Sequence, residues 1–178
     1  MAKEYLVITI VGPDRRGTVE KITAVMVDHQ ANIEESKMAR LGGEFAVIML
    51  LSLLSEQEEA LLTGLDSLKA QGLTIISRPT SLSRLDMFRG FVPYEIHVFG
   101  ADHEGIVYRV AHYLAAERVN IETMDTHVTK APVTGTPLFS MQAMVQAPPD
   151  LSLSQLRHKL AELGDELCVD IEVRLPVS

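Results

Sequence analysis

Gly12-Pro13-Asp14-Arg15-Arg16-Gly17-Thr18-Val19 returns 88 residues later as Gly100-Ala101-Asp102-His103-Glu104-Gly105-Ile106-Val107. Four of the eight positions are identical, and the agreement extends to either side. Ile8 falls on Ile96, and Asn32-Ile33-Glu34 falls on Asn120-Ile121-Glu122. From residue 8 to residue 34 there are eight identities in 27 aligned positions without a gap. Unrelated segments of ordinary composition would share about two. Beyond Glu34 the offset grows to 94, which sets Phe45 on Phe139 and gives the second copy six extra residues around Lys130–Pro137. Length alone would suit a single core for 178 residues. The repeat makes it two units of about 80 residues each.

Each copy reads in the same order. Lys3–Val11 is a β-rich run closed by the turn residues Gly12-Pro13-Asp14. Val19, Ile22 and Met26 form one helical stripe, repeated as Val107, Val110 and Leu114. Asn32–Leu41, Gly42-Gly43 and Glu44–Leu54 read as a hairpin. Ser55-Glu56-Gln57-Glu58 has the pattern of a capping box before a helix faced by Leu61, Leu62, Leu65 and Leu68. Gly72 ends that helix, and Leu73–Ser77 is a last strand. The second copy answers with Ser152 and Gln155, then Leu156, Leu160 and Leu163, then a strand over Cys168–Leu175. The order β-α-β-β-α-β, twice, predicts an α+β fold of two tandem ferredoxin-like units. We expect the first over residues 1–78 and the second over 93–178. Residues 79–92, bounded by Pro79 and Pro93, are read as a solvated linker, in spite of Arg84 and Arg89 and the preceding Arg78.

Composition removes several classes of function. At 47% hydrophobic and 22% charged residues the chain can fill a core, which excludes disorder. A net charge of −8 argues against direct nucleic-acid binding, which needs a basic face. An RNA-binding open sheet would need aromatic and basic residues on its inner strands, and Lys3–Val11 and Glu44–Leu54 offer only Tyr5 and Phe45 as aromatics. The longest apolar run, Phe45–Leu51, is far too short to cross a bilayer, and the N-terminus does not read as a secretion signal. The single cysteine, Cys168, can form no internal disulfide, and a packed thiol beside Val169 is expected. A cytoplasmic location follows as the expectation. The six histidines show no metal-ligand spacing, and no nucleophile elbow, P-loop or dinucleotide fingerprint is present. We therefore expect neither a metal, nor a cofactor, nor enzymatic activity.

The repeated Asp-x-x-Gly lies between the first strand and the first helix. A helix start carries N–H groups without partners inside the helix and a partial positive charge. Gly17 and Gly105 allow close approach, and Asp14 and Asp102 can accept hydrogen bonds from those N–H groups or from a ligand's ammonium group. Such a loop suits a zwitterion. Asn32 and Asn120 open the second strand on the far side of the helix and could reach that ligand only from a paired unit. The alternative is that the aspartates cap a helix and the asparagines only turn the chain.

With Val7–Gly17 followed by Ala31-Asn32-Ile33-Glu34, and with Leu41–Leu50, the chain resembles the ACT domain family over nearly its whole length. The first copy carries the resemblance better than the second. It implies regulatory units that bind small molecules, often amino acids, at interfaces between paired units. The tandem arrangement is similar to transcription-regulating members that lack a DNA-binding element. It implies a response to a small amino acid such as glycine, and contact with a DNA-binding transcription regulator. The residues so marked are Asp14, Arg15, Arg16, Gly17, Asn32 and Ile33 in the first copy. In the second they are Asp102, His103, Glu104, Gly105, Asn120 and Ile121. Arg16 and Glu104 stand where the family usually has proline, and His103, which can change charge near neutral pH, stands where the first copy has Arg15. The competing expectation is a ligand-free ACT-type module that dimerises and regulates a metabolic enzyme.

Overall fold

The computed structural model describes residues 3–81 and 88–176; Arg84 of the expected linker lies outside them. The chain divides into two compact units, residues 1–87 and 88–178. In the first, β1 (Lys3–Pro13), α1 (Thr18–Asp28), β2 (Asn32–Leu41), β3 (Glu44–Leu54), α2 (Glu58–Asp66) and β4 (Thr74–Thr80) follow in order. The second repeats them as β5 (Val92–Ala101), α3 (Ile106–Ala116), β6 (Asn120–Lys130), β7 (Pro137–Ala147), α4 (Leu153–Leu167) and β8 (Val169–Arg174). Each sheet is antiparallel, in the order β2-β3-β1-β4 and β6-β7-β5-β8. This is the expected α+β arrangement, ββ hairpin beside split βαβ, in both copies.

Strand alternation builds the cores. In β1 the side chains of Leu6, Ile8 and Ile10 are buried, with Phe45, Val47, Met49 and Leu51 beside them on β3. Ile22 and Met26 of α1 and Leu61 and Leu65 of α2 close over that face. The second unit repeats the layer with Ile96, Val98, Met141, Val145, Val110, Leu114, Leu156 and Leu160. Fully burying one such side chain stabilises by roughly 1.5–3 kcal/mol.

The opposite sheet faces differ. A row across the first sheet runs Lys37, Ile48, Thr9, Ile76. The matching row of the second runs Asp125, Gln142, His97, Glu172. Ile48 and Ile76 are about half exposed, so the first unit presents aliphatic surface where the second presents hydrogen-bonding and charged groups.

Four local expectations change. Val19 and Val107 are not core residues: the buried stripes are Thr18-Ile22-Met26 and Ile106-Val110-Leu114, at the i, i+4, i+8 spacing. Ser55 makes no capping box, because it lies inside a 3₁₀ turn (Ser55–Gln57) whose extended preceding residue is Leu54. Ser152 is itself extended, and there the box with Gln155 forms. Cys168 is exposed in left-handed backbone (φ 54°) ending α4, not packed within a strand; β8 begins only at Val169. The helix ended by Gly72 stops at Asp66 and continues as a 3₁₀ turn to Gln71. The six extra residues of the second copy form the β6–β7 connection, closed by the Ala131 N–H donating to the Thr136 carbonyl at 2.8 Å.

Candidate functional site

The glycines of the repeat serve two purposes. Gly12 and Gly100 are packing positions. A Cβ on Gly12 would lie 2.8 Å from the Gly72 carbonyl oxygen, and one on Gly100 would lie 2.7 Å from Val169 Cγ1. The first strand is thus pressed against the chain entering the last strand of its unit. Gly17 and Gly105 precede the helices with φ of 82° and 93°, the left-handed region that an L side chain rarely adopts. A Cβ on Gly105 would meet nothing within 4 Å, so it is the backbone and not crowding that requires glycine there.

No side chain caps the start of α1 or α3. The helix-capping role weighed for Asp14 and Asp102 is therefore absent. Asp14 is held from the β2–β3 hairpin: its N–H donates to the Gly43 carbonyl at 2.9 Å, and its Oδ2 lies 3.1 Å from Arg40 Nε. Both ends of this ion pair are partly or largely exposed, 75% for Arg40 and 32% for Asp14. Such pairs contribute about 0–1 kcal/mol, so the partners can exchange at little cost. Beside the pair a hollow of about 330 Å³ is bounded by the loop, the first turn of α1 and the end of β2. Asp14, Arg15, Gly17, Val19, Met38 and Arg40 are among its lining residues.

The second loop is wired differently. The Asp102 N–H donates to the Pro137 carbonyl at 3.0 Å, the counterpart of the Asp14–Gly43 bond. The position of Arg40, opposite Phe45, is taken in the second unit by Val128, opposite Phe139. Instead His103 places Nδ1 3.0 Å from the Glu104 carbonyl and Nε2 2.7 Å from the carbonyl of Leu167, the last residue of α4. A neutral imidazole has only one N–H, so two carbonyl acceptors suit the charged form. These two bonds raise the His103 pKa above its ordinary value, and the charge of Asp102 adds to the rise.

Asn32 and Asn120 are far from their own loops. Asn32 lies opposite Ser52, which lies opposite Tyr5, whereas Asp14 follows Pro13 at the other end of β1. Eight residues of strand make roughly 27 Å. Asn120, opposite Gln146 and through it Pro93, is equally removed from Ala101. Asn32 instead helps hold Glu34, whose pKa is lowered to about 2 by the Ser52 hydroxyl first, then Asn32, then the Lys3 ammonium 3.1 Å away. Ile33 is partly exposed beside Leu51, and Ile121 packs on the second core. Arg16 and Glu104 are exposed in their loops, and Arg16 is not among the residues lining the hollow.

The first unit thus brings Asp14, Arg15 and Gly17 together with Arg40, Met38 and Glu20, which sequence reasoning did not single out. The signal for Arg40 was the two-residue Gly42-Gly43 turn, which fixes Arg40 opposite Phe45. That this hairpin end meets the residues after β1 depends on the non-local pairing of Pro13 with Glu44.

Two tandem α+β units, each with an uncapped helix start behind a left-handed glycine, place this chain in the class of duplicated β-α-β-β-α-β proteins. Residues 4–76 and 96–174 each match a model described as an ACT domain, and the chain belongs to the ACT domain family. It is 51% identical over 51 residues to the glycine cleavage system transcriptional repressor of Escherichia coli strain K12. That match covers 29% of this chain and 27% of the repressor. Over 47 residues, 26% of this chain and 52% of the other, it is 43% identical to the UPF0237 protein MK1213 of Methanopyrus kandleri. Among solved structures, an unknown protein from Galdieria sulphuraria is 32% identical, with 99% of this chain and 100% of that one covered at a TM-score of 0.86. A structure assigned provisionally as a glycine cleavage system transcriptional repressor covers 98% of both chains at TM-score 0.71 and 22% identity, which shows the shared fold. Among the described residues no helix is long and apolar enough to cross a membrane.

Proposed function

We propose that this chain is a non-enzymatic cytoplasmic regulator that senses a small free amino acid, glycine or one like it, and passes the signal to a DNA-binding transcription regulator by protein contact. The observation that carries this reading is the first loop. Its uncapped helix start, a carboxylate and a guanidinium border one hollow of about 330 Å³, which complements the two charges of a zwitterion. The repressor matches support the regulatory half. In this reading residues 81–91 join the units, inside the 79–92 expected from the sequence, because β4 runs to Thr80 and β5 begins at Val92. Asn32 or Asn120 of a unit from a second copy of the chain completes the pocket. Occupancy changes how paired units pack and hence the affinity for the partner, and the partner changes ligand affinity equally. A cellular amino-acid sensor needs a Kd of only about 1 mM, or about −4.1 kcal/mol, which a few charge-assisted hydrogen bonds can supply.

Thermal shift across the twenty amino acids, with glycine and serine titrated by calorimetry, tests the reading. Saturable stabilisation by one amino acid, weakened in Asp14→Ala or Asp102→Ala, supports it. A flat panel overturns it and favours a ligand-free interaction module acting on a metabolic enzyme. For that second reading the aliphatic row of Ile48 and Ile76 on the first sheet is the favouring observation.

A further inference from the structure

Arg40 is exposed, reaches the loop from a different element and meets Asp14 through Nε. We infer that Arg40 is the specificity-determining residue of the first loop: its guanidinium takes the carboxylate of the incoming molecule as Asp14 turns to the ammonium group. The inference rests on the amino-acid reading above and narrows it to molecules carrying both charges.

The geometry is specific. Arg40 lies opposite the buried Phe45, so it leaves β2 on the helix-bearing side of the sheet, where the hollow opens. A guanidinium carries five N–H donors in a planar fork. The Asp14 contact runs through Nε, and the fork carries two further nitrogens able to donate to a carboxylate. Because the pair is exposed, water and salt already screen it, and its members re-pair readily. Inserting a zwitterion replaces one cation–anion contact by two, in the order Asp14 carboxylate, ligand ammonium, ligand carboxylate, Arg40 guanidinium. An amine alone satisfies Asp14 but takes it from Arg40. A carboxylate alone does the reverse. Only a molecule with both groups leaves every charge partnered. Val128 holds the matching place in the second unit, so this selection belongs to the first loop.

The test is calorimetric titration of the full chain with glycine and glycinamide, and with L-serine and L-serinamide, using wild type, Arg40→Ala and Arg40→Lys. Wild type is expected to bind the acid at least about tenfold more tightly than its amide, the usual scale of a charge-assisted bond. In Arg40→Ala acid affinity falls by about tenfold and acid and amide become equivalent. Arg40→Lys recovers part of the preference, since an ammonium restores the charge but not the fork. Unliganded melting temperatures of all three proteins should agree, which separates binding from folding. Undiminished acid preference in Arg40→Ala overturns the role of Arg40 and leaves the sensor reading standing. No binding of any of the four compounds by wild type, with a flat panel of all twenty amino acids, overturns both.

Discussion

The two units share strand order, core layers and left-handed glycines, yet they hold their loops by opposite means. In the first, a long side chain from β2 lies on the loop carboxylate and a hollow stays open beside it. In the second, the loop's own histidine bridges to the end of α4. The sheet faces diverge as well, Ile48 and Ile76 against Gln142 and Glu172. A duplicated fold thus keeps its core while its loops and open faces specialise, because only the core positions are constrained by packing on every side.

The comparison is most severely tested in the cores, where the units should behave alike. Leu61→Ala and Leu160→Ala each remove a fully buried side chain and should cost their own unit about 2–5 kcal/mol. Hydrogen exchange read peptide by peptide would show it; loss of protection spreading equally through both units would break the picture of independent cores. Smaller but still equivalent effects are expected at Gly12→Ala and Gly100→Ala, roughly 1–3 kcal/mol each, because both new methyl groups strike backbone or a β-branched side chain. Urea unfolding of the two variants measures this, and a loss confined to one would show that the repeated glycine serves packing in one unit only. At Gly17→Ala and Gly105→Ala the cost should be about 1–2 kcal/mol from the left-handed backbone alone. Gly17→Ala should also weaken amino-acid binding, by calorimetry, more than Gly105→Ala does.

The smallest effect separates the loops. The folded pKa of His103 is raised, so its contribution to stability is complete below the ordinary value of 6.5 and disappears as pH rises through the folded value. Asp102 favours the charged form, as do the carbonyls of Glu104 and Leu167. Between pH 6 and pH 8 the amides of residues 102–105 should therefore lose protection relative to those of residues 14–17, which act as the internal control. His103→Ala should abolish the difference; a pH response common to both loops would refute it. The acid side has a marker in the first unit. Glu34 contributes stability above pH 4.5 that is lost as pH falls toward about 2, and Ser52→Ala should raise its pKa, as an NMR titration would show.

Much of this was legible in the residues because it is written locally. The 88-residue repeat announced two units, Gly42-Gly43 announced the hairpin, and Asp-x-x-Gly announced the loop. Where reading failed, two patterns competed at the same place. Val19 and Val107 repeat identically and suit a helical stripe, but the neighbouring Thr18 and Ile106 face the core and the valines face outward. Ser55 and Ser152 share the capping pattern, but only Ser152 has extended backbone. Cys168 ends a helix in the place where the first copy uses Gly72, a backbone conformation that residue type alone does not reveal.

The sequence by itself determined the duplication, the α+β order of each unit and the glycine-bearing turn before each first helix, since periodicity and turn chemistry act over a few residues. Only the tertiary structure decided that Arg40 meets Asp14, that His103 reaches Leu167 and that Asn32 lies a strand's length from its own loop. Those relations join residues 26, 64 and 18 positions apart, and they depend on how strands pair and helices pack, which no local pattern encodes.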